Sequence, residues 1–377
     1  MAPKTLIDTR VDRAAGGAIA NRLRSGLIAG SEQHVALAVA MAGASALAAL
    51  SIAVGHEPAP RGDDLIYERM ASDPLGAHTF PFAYRIAVPW LVHASPLSHT
   101  LSFELLAWLS AGGAAGFAYL LMRRTGAARS VASALALMLA LSPAMLIVGL
   151  RAGRNPDAAT MLFLMAGTLF ALERRSRALA VTLALGVLVR EAELFLIPLT
   201  YALWAERWWD SSAARRALAV GAPALLIYIS LRTAIPTVGG AQVPGYGGPL
   251  LASRLSLLGT GIGDGLVEAR RMLSVYGPLW IAAPLALGGM AFSRRGLVLV
   301  AACVLAMTFA LDWGRMIFLA APVFYPAGAY TLTRHPRWRI PALATFAVLI
   351  AAYAIHMRGG GLRAGITEAP PPPYPVR

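Results

Sequence analysis

The chain has 377 residues, of which 57% are hydrophobic and only 14% are charged. Because an average soluble domain is about 25% charged, this composition excludes a soluble enzyme, a disordered regulator and, with a single cysteine, a disulfide-stabilised scaffold. The net charge of +14 resides in short clusters between apolar runs, which orient membrane proteins, and not in the long basic stripe of a nucleic-acid-binding protein. The sequence therefore predicts an all-α, polytopic membrane protein with no nucleic-acid partner.

Apolar segments follow one another from residue 34 to residue 356, and these are the bounds of the predicted membrane domain. We expect about 10–11 membrane helices, some of them short and reaching only half of the bilayer depth. Residues 1–33 form a predicted cytosolic segment, and residues 357–377 form a proline-rich tail. The predicted segments are 34–55, 101–122, 131–150, 158–172, 178–189, 192–204, 217–234, 276–292, 297–311, 317–333 and 341–356.

The basic residues predict which side of the membrane each loop faces. When the spans alternate from a cytosolic N-terminus, nearly all of the excess positive charge falls on the cytosolic side, and the outer side carries both signs. This partition requires that the stretch 178–204, with Arg190 and Glu191 at its centre, enters the membrane and returns as two short helices. We therefore predict a multi-pass protein of the inner (cytoplasmic) membrane with a polar site at its extracytoplasmic face. Among the predicted cytosolic residues are Arg123, Arg124, Arg129 and Arg175.

Two outer segments are long enough to contribute to such a site. Residues 56–100 are predicted to contain helices around 63–72 and 80–94 that lie in the membrane interface. Residues 235–263 are too rich in glycine and proline for regular structure, so a mobile lid and a plain connector explain them equally well.

Two adjacent carboxylates, Asp63 and Asp64, follow the first span. At the outer interface, one of them can accept a proton from the hydroxyl group of an acceptor molecule. A solvated helix N-terminus is the simpler interpretation, because aspartate is common there, and spacing alone favours it. The pair is nevertheless the strongest local signal for catalysis in the chain.

Arginines with aromatic or acidic neighbours are candidates for binding a phosphate. Arg85 follows Tyr84 in an apolar stretch, and its side chain can fork onto a lipid phosphate or extend to the lipid headgroups. In an outer turn, Arg151 and Arg154 can hold a phosphate. There Asp157 can orient one of these arginines or bind a polar substrate, although a helix-capping turn explains Asp157 at least as well.

Ionisable side chains also interrupt the later apolar runs. Arg190, Glu191 and Glu193 are costly at membrane depth, which favours the wall of a polar cavity. The alternative is an internal pair between Arg190 and a glutamate that holds two short helices together. Asp312 and Arg315 are three residues apart, so they can pair on one helix face or line the same cavity.

No cofactor is firmly implied by the sequence, and no metal ligands are predicted. The histidines of the first outer segment match no zinc pattern, and a divalent cation is compatible with the carboxylates without being required. The chain contains no glycine-rich phosphate loop, nucleophile elbow or zinc-protease motif, which argues against an ATPase, a serine hydrolase and a zinc hydrolase.

Four short stretches together resemble a known arrangement. They are Gly62-Asp63-Asp64 with the following Tyr67, the segment PFAYRIAVPW at 81–90, the Arg190-Glu191 pair between short helices, and the DWGR segment at 312–315. In these features the chain resembles the GT-C superfamily, the polytopic membrane glycosyltransferases that use polyprenyl-phosphate sugars.

The resemblance implies the transfer of a hexose or a pentose from a polyprenyl-phosphate donor to a lipid or glycan acceptor of the cell envelope, such as a glycolipid. It implies that Asp63 or Asp64 is the general base, and that basic residues near the outer face hold the donor phosphate. The candidate residues by position are Arg85, Arg151, Arg154, Arg190 and Arg315, with Tyr67, Tyr84, Asp157, Glu191 and Asp312 as further substrate-binding residues.

Two other functions remain open from the residues alone. A transporter or flippase of lipid-linked sugars would use the intramembrane arginine and glutamates as substrate or proton sites. The lack of a visible internal repeat and the crowding of acids into one outer loop count against it. A polysaccharide polymerase or ligase would rely on the outer arginines and could function without the Asp63-Asp64 pair.

Overall fold

A computed structural model describes residues 9–54, 63–79, 81–150, 154–207, 209–238, 269, 272–307 and 313–358. Arg151, Asp312, most of the 235–263 segment and nearly all of the proline-rich tail lie outside the described residues. Within the described part of the chain, five helical stretches are long and apolar enough to span a membrane, so the protein is an all-α, polytopic membrane protein. They are Gly30–Ala53, His99–Arg124, Arg129–Leu146, Ser211–Ala234 and Pro336–Ile355.

The described residues form a succession of helices, with a short strand after α2 and another after α10. In chain order, the elements are α1 (Thr9–Val54), α2 (Asp63–Ser72), β1 (His78–Thr79), α3 (Ala87–His93), α4 (His99–Arg124), α5 (Arg129–Ala140), α6 (Pro143–Leu150), α7 (Asp157–Leu172), α8 (Ser176–Val189), α9 (Leu196–Trp204), α10 (Ser211–Ala234), β2 (Thr237–Val238), α11 (Leu279–Leu285), α12 (Ala291–Met307), α13 (Trp313–Phe318), α14 (Ala321–Arg334) and α15 (Arg339–Arg358). Short 3₁₀ helices cover Phe82–Tyr84, Glu191–Phe195, Ala286–Gly288 and Pro336–Trp338.

Helices α1 and α4 cross with their backbones in close contact. A Cβ atom at Gly112 would lie 2.4 Å from the backbone oxygen of Ala40, and one at Gly116 would lie 3.1 Å from that of Ala36. Small residues at such crossings let two membrane helices approach closely, and van der Waals packing then holds them together. This crossing anchors α4, whose first turn reaches the candidate site.

The stretch 178–204 forms two short helices that go up and return, as its charges predict. Helix α8 ends at Val189, and Arg190 is extended, with φ −162° and ψ 140°, before the chain turns through a 3₁₀ helix into α9. The return is visible at the end of α9, where Trp204 Nε1 donates a hydrogen bond of 2.8 Å to the carbonyl oxygen of Ala171 beside the start of α8. The apex of this hairpin, at Arg190 and Glu191, therefore reaches the same end of the bundle as Asp157.

Helix α7 separates two ionic regions of the bundle. It begins at Asp157 and ends at its C-cap, Glu173, so its 16 residues place these carboxylates about 24 Å apart. We call the end with Asp157 the site end and the end with Glu173 the opposite end. At the opposite end, Glu32 and Glu173 each bind two of the arginines that the charge pattern assigns to the cytosol. These arginines are Arg123, Arg124, Arg129 and Arg175.

The described part of the segment 56–100 packs over the site end as short elements. Helix α2 confirms the predicted helix at 63–72, whereas the helix predicted at 80–94 is divided by Arg85 into a 3₁₀ helix and α3. A small apolar core lies beneath these elements and includes Tyr67 and Phe82, whose rings meet edge to face with centroids 5.7 Å apart. Strand β1 pairs in parallel with β2 after α10, which connects the first outer segment to the start of the second.

Candidate active site

Ten of the predicted site residues lie in the described part of the chain, and most of them meet at the site end. Arg151 and Asp312 lie outside the described residues. The others come from α2, the 3₁₀ turn before α3, the turn into α7, the hairpin apex and α13. They are Asp63, Asp64, Tyr67, Tyr84, Arg85, Arg154, Asp157, Arg190, Glu191 and Arg315.

Asp157 forms the centre of the site. One of its carboxylate oxygens accepts a hydrogen bond from Arg190 at the hairpin apex, and the other accepts one of 2.6 Å from Nε of Arg315 on α13. The side chains of Asp157 and Arg190 are only 7% and 5% exposed, so this carboxylate joins two guanidinium groups away from solvent. Three elements that are distant in sequence thus meet at a single side chain.

The two acids of α2 differ in their exposure. Asp63 accepts a hydrogen bond of 3.0 Å from Nη1 of Arg315, and its side chain is 36% exposed. Asp64 is buried, with 5% of the residue exposed. Both aspartates occupy the first turn of α2, as expected at a helix N-terminus, but only Asp63 is partly exposed. We call this exposed edge of the ionic network, where Asp63 meets Arg315, the mouth of the site.

Arg85 turns inward and does not extend to the lipid headgroups. Its Nε and Nη2 donate to the two carboxylate oxygens of Glu191 at 3.0 Å and 2.5 Å, and its Nη1 donates to the hydroxyl of Tyr67 at 3.0 Å. The guanidinium group also lies 5.2 Å from the centre of the Phe82 ring. Burial raises the pKa of Tyr67 to about 12, although the positive charge of Arg85 opposes that rise. The phenol therefore stays neutral and accepts the bond from Arg85.

A second ionic cluster lies beside the first. Arg154 Nε donates to Glu68 at 2.7 Å, and the other carboxylate oxygen of Glu68 is 2.9 Å from Nδ1 of His99. Arg154 also donates to the hydroxyl of Thr100 at 3.2 Å. Sequence reasoning missed Glu68, although it lies four residues after Asp64 and therefore on the same face of α2.

Arg232, on the last turn of α10, was also missed. Its guanidinium carbon lies 4.6 Å from the centre of the Tyr84 ring and 4.7 Å from that of Tyr228, so the cation stacks between two aromatic rings. The available signal was a charged residue near the end of the predicted apolar segment 217–234. Tyr84 therefore contacts α10, and its ring is turned toward Arg232.

The partners observed at the site are distant in the sequence. Arg190 binds Asp157, and Glu191 binds Arg85, so these ion pairs differ from the alternative pair between Arg190 and a neighbouring glutamate. Asp157 binds Arg190 and Arg315, and the nearby Arg154 binds Glu68. Spacing in the sequence does not predict these ion pairs, because the side chains come from the ends of different helices.

The chemistry that this arrangement supports is proton transfer next to a stabilised anion. A partly exposed carboxylate at the mouth can accept a proton, and fixed guanidinium groups can stabilise negative charge that develops beside it. Within the described ranges, no group of three or more His, Cys, Asp and Glu side chains is placed to hold a metal ion. A divalent cation therefore has no described ligand cluster, and its involvement stays an untested expectation.

The comparisons with known proteins find similarity among solved structures. No family model and no curated protein sequence match the chain. Among solved structures, the chain is similar to an oligosaccharyltransferase of Archaeoglobus fulgidus that was crystallised with a tethered acceptor peptide. The two are 13% identical, with a TM-score of 0.46, and the match covers 88% of this chain and 56% of that protein. The chain thus spans about half the length of the similar protein.

Proposed function

We propose that this protein is a membrane glycosyltransferase. It transfers a sugar from a polyprenyl-phosphate donor to a hydroxyl group of a lipid or glycan acceptor, at the extracytoplasmic face of the inner membrane. The observation that carries the proposal is the placement of Asp63, 36% exposed, against Arg315 at the mouth of a buried ionic network. A base and an anion-binding group are thus adjacent at one end of an apolar bundle, where a lipid-linked substrate can reach both.

The reaction needs one proton transfer and one displacement. Asp63 accepts the proton of the acceptor hydroxyl while that oxygen forms a bond to the anomeric carbon of the sugar. The bond between the anomeric carbon and the phosphate oxygen breaks, and its electron pair leaves with the polyprenyl phosphate. A single displacement of this kind inverts the configuration at the anomeric carbon. The phosphate ester already activates the sugar, so no nucleotide is needed.

The protein contributes electrostatic stabilisation of the leaving phosphate. Arg315 is held at its Nε by the buried Asp157, and Arg190 is held by the same carboxylate. Donors that are fixed before the reaction need little reorganisation when charge develops, which makes them effective catalysts. We prefer Asp63 over Asp64 as the base because Asp64 is buried.

The test is a comparison of matched aspartate variants in cells. A strain that lacks the gene is complemented with wild type, Asp63→Asn or Asp73→Asn, and protein levels are checked in the membrane fraction. Asp73 is an exposed carboxylate just after α2, outside the ionic network, so it controls for the loss of one charge in this loop. Mass spectrometry of glycolipids and envelope glycans then identifies the sugar that the deletion removes.

We expect wild type and Asp73→Asn to restore the missing sugar and Asp63→Asn to fail at equal protein level. Restoration by Asp63→Asn would refute a base at this position and favour a polymerase, ligase or transporter that relies on the arginines. A flippase would give a different result in the deletion strain, because the lipid-linked sugar would accumulate intact on the cytosolic side.

A further inference from the structure

The geometry points to an exchange of partners at the mouth of the site. The donor phosphate replaces Asp63 on Arg315, and this replacement releases Asp63 to act as the base. The inference rests on the proposed function. It identifies Arg315 as the arginine that receives the phosphate. It also sets the order of events, because the donor must bind before the acceptor is activated.

Two carboxylates that bind Arg315 differ greatly in burial. Asp157 accepts from Nε at 2.6 Å and is 7% exposed, whereas Asp63 accepts from Nη1 at 3.0 Å and is 36% exposed. Asp157 also binds Arg190, so its release would leave buried charges unpaired, which is strongly unfavourable. Asp63 is 36% exposed, so it can be hydrated after release, and a partly exposed ion pair is weaker than a buried one. Asp63 is therefore the partner that an incoming anion displaces.

The neighbouring arginines are poorer sites for such an exchange. Arg85 uses three of its N–H groups for Glu191 and Tyr67, and only 7% of its side chain is exposed. Arg190 is 5% exposed and bonds the buried Asp157. By contrast, 18% of the Arg315 side chain is exposed, and its Nη1 faces the mouth through Asp63. A phosphate can bind this guanidinium group without leaving a buried carboxylate unpaired.

The exchange places both reactants where the reaction needs them. Phosphate oxygens accept charge-assisted hydrogen bonds from a guanidinium group at least as well as a carboxylate does. When a phosphate oxygen occupies Nη1 of Arg315, the Oδ2 atom of Asp63 loses its partner and is open to the acceptor hydroxyl. The base then lies next to the phosphate whose sugar is to be transferred, while Asp157 keeps Arg315 in position.

The inference is tested by the affinity of the full-length protein for a lipid phosphate. Farnesyl phosphate is the probe and uncharged farnesol is its control, with binding to purified protein in nanodiscs measured by calorimetry. The variants are Asp63→Asn, Arg315→Gln, the double variant, and Asp73→Asn as the charge-matched control. Size-exclusion profiles verify that each variant is folded.

Removal of the competing carboxylate should strengthen binding. We expect Asp63→Asn to bind farnesyl phosphate about two- to fivefold more tightly than wild type, as loss of a weak, partly exposed ion pair predicts, while the affinity of Asp73→Asn is unchanged. Because the competition is for Arg315, Asp63→Asn should give no gain in the Arg315→Gln background.

Three results would overturn the exchange, and they differ in what they mean for the proposed function. If Asp63→Asn strengthened binding of farnesyl phosphate equally in the wild-type and Arg315→Gln backgrounds, general charge repulsion would be the cause. A wild type that prefers farnesyl phosphate to farnesol, with no effect of Asp63→Asn, would reject the exchange and leave the glycosyltransferase proposal standing. No preference for farnesyl phosphate in any variant would reject both.

Discussion

Replacement of Asp157 by asparagine tests whether the buried network holds the site together. The change keeps the size of the side chain and removes the charge that lies between Arg190 and Arg315. Because Asp157 and Arg190 are only 7% and 5% exposed, water cannot replace the partner that Arg190 loses. Removal of one partner from a buried ion pair costs about 3–5 kcal/mol. We therefore expect Asp157→Asn to lower the free energy of unfolding by about 3–5 kcal/mol.

The opposite end of the bundle provides a matched control. Glu173 also binds two arginines, Arg124 at 2.6 Å and Arg175 at 2.8 Å, but these arginine side chains are 55% and 56% exposed. Exposed ion pairs contribute about 0–1 kcal/mol, so Glu173→Gln should change stability by no more than that. Equilibrium unfolding of the purified protein in mixed micelles with increasing SDS, followed by circular dichroism, measures both variants. The reasoning from burial would be refuted if both variants lost the same free energy of unfolding, or if Asp157→Asn lost less than about 1 kcal/mol.

Three further predictions test other parts of the structure. Gly112→Val should destabilise the α1–α4 crossing by about 1–3 kcal/mol through overpacking, whereas Gly288→Ala, with no atom within 4 Å of its Cβ position, should be neutral in the same SDS titration. Tyr67→Phe should cost about 1–3 kcal/mol, because it leaves a buried N–H group of Arg85 without its acceptor, and the same titration checks it. Hydrogen bonds, first from the backbone of the α10 N-terminus, hold the pKa of Asp210 below its usual value. The stabilisation by the ionised Asp210 is present above about pH 4 and declines as the pH falls further. Between pH 6 and pH 3, the midpoint of thermal unfolding should therefore fall less for Asp210→Asn than for wild type.

The membrane architecture follows from properties that are local in the sequence. Apolar runs of sufficient length and low charge predict helices, because a backbone in the bilayer must satisfy its own hydrogen bonds. The hairpin at 178–204 can also be predicted from the sequence, because a single membrane crossing there would reverse the charge balance of every later loop. Arg190 at its centre is extended in the structure, as expected where two short helices meet. The assignment of the site end to the extracytoplasmic face stays a prediction.

The residues of the site were largely predictable, but their partners were not. Ionisable groups in apolar surroundings drew attention to Arg85, Asp157, Arg190 and Arg315, because such groups are rarely placed there without a partner. For Asp157, Arg190 and Arg315, residues nearby in the sequence were among the possible partners. In the structure these side chains bind residues that are distant in the sequence, and Glu68 was missed although it shares a face of α2 with Asp64.

The sequence by itself determined the class of the protein, most of its helices and most of the ionisable residues that meet at the site end. These properties depend on hydrophobicity and helix length, which each segment carries independently of the others. Only the tertiary structure decided that Asp157 joins Arg190 to Arg315, that Arg85 turns inward to Glu191, and that Asp63 alone of the α2 pair is exposed. Pairing between distant charges depends on which helix ends are brought together by packing, and packing is a property of the whole chain.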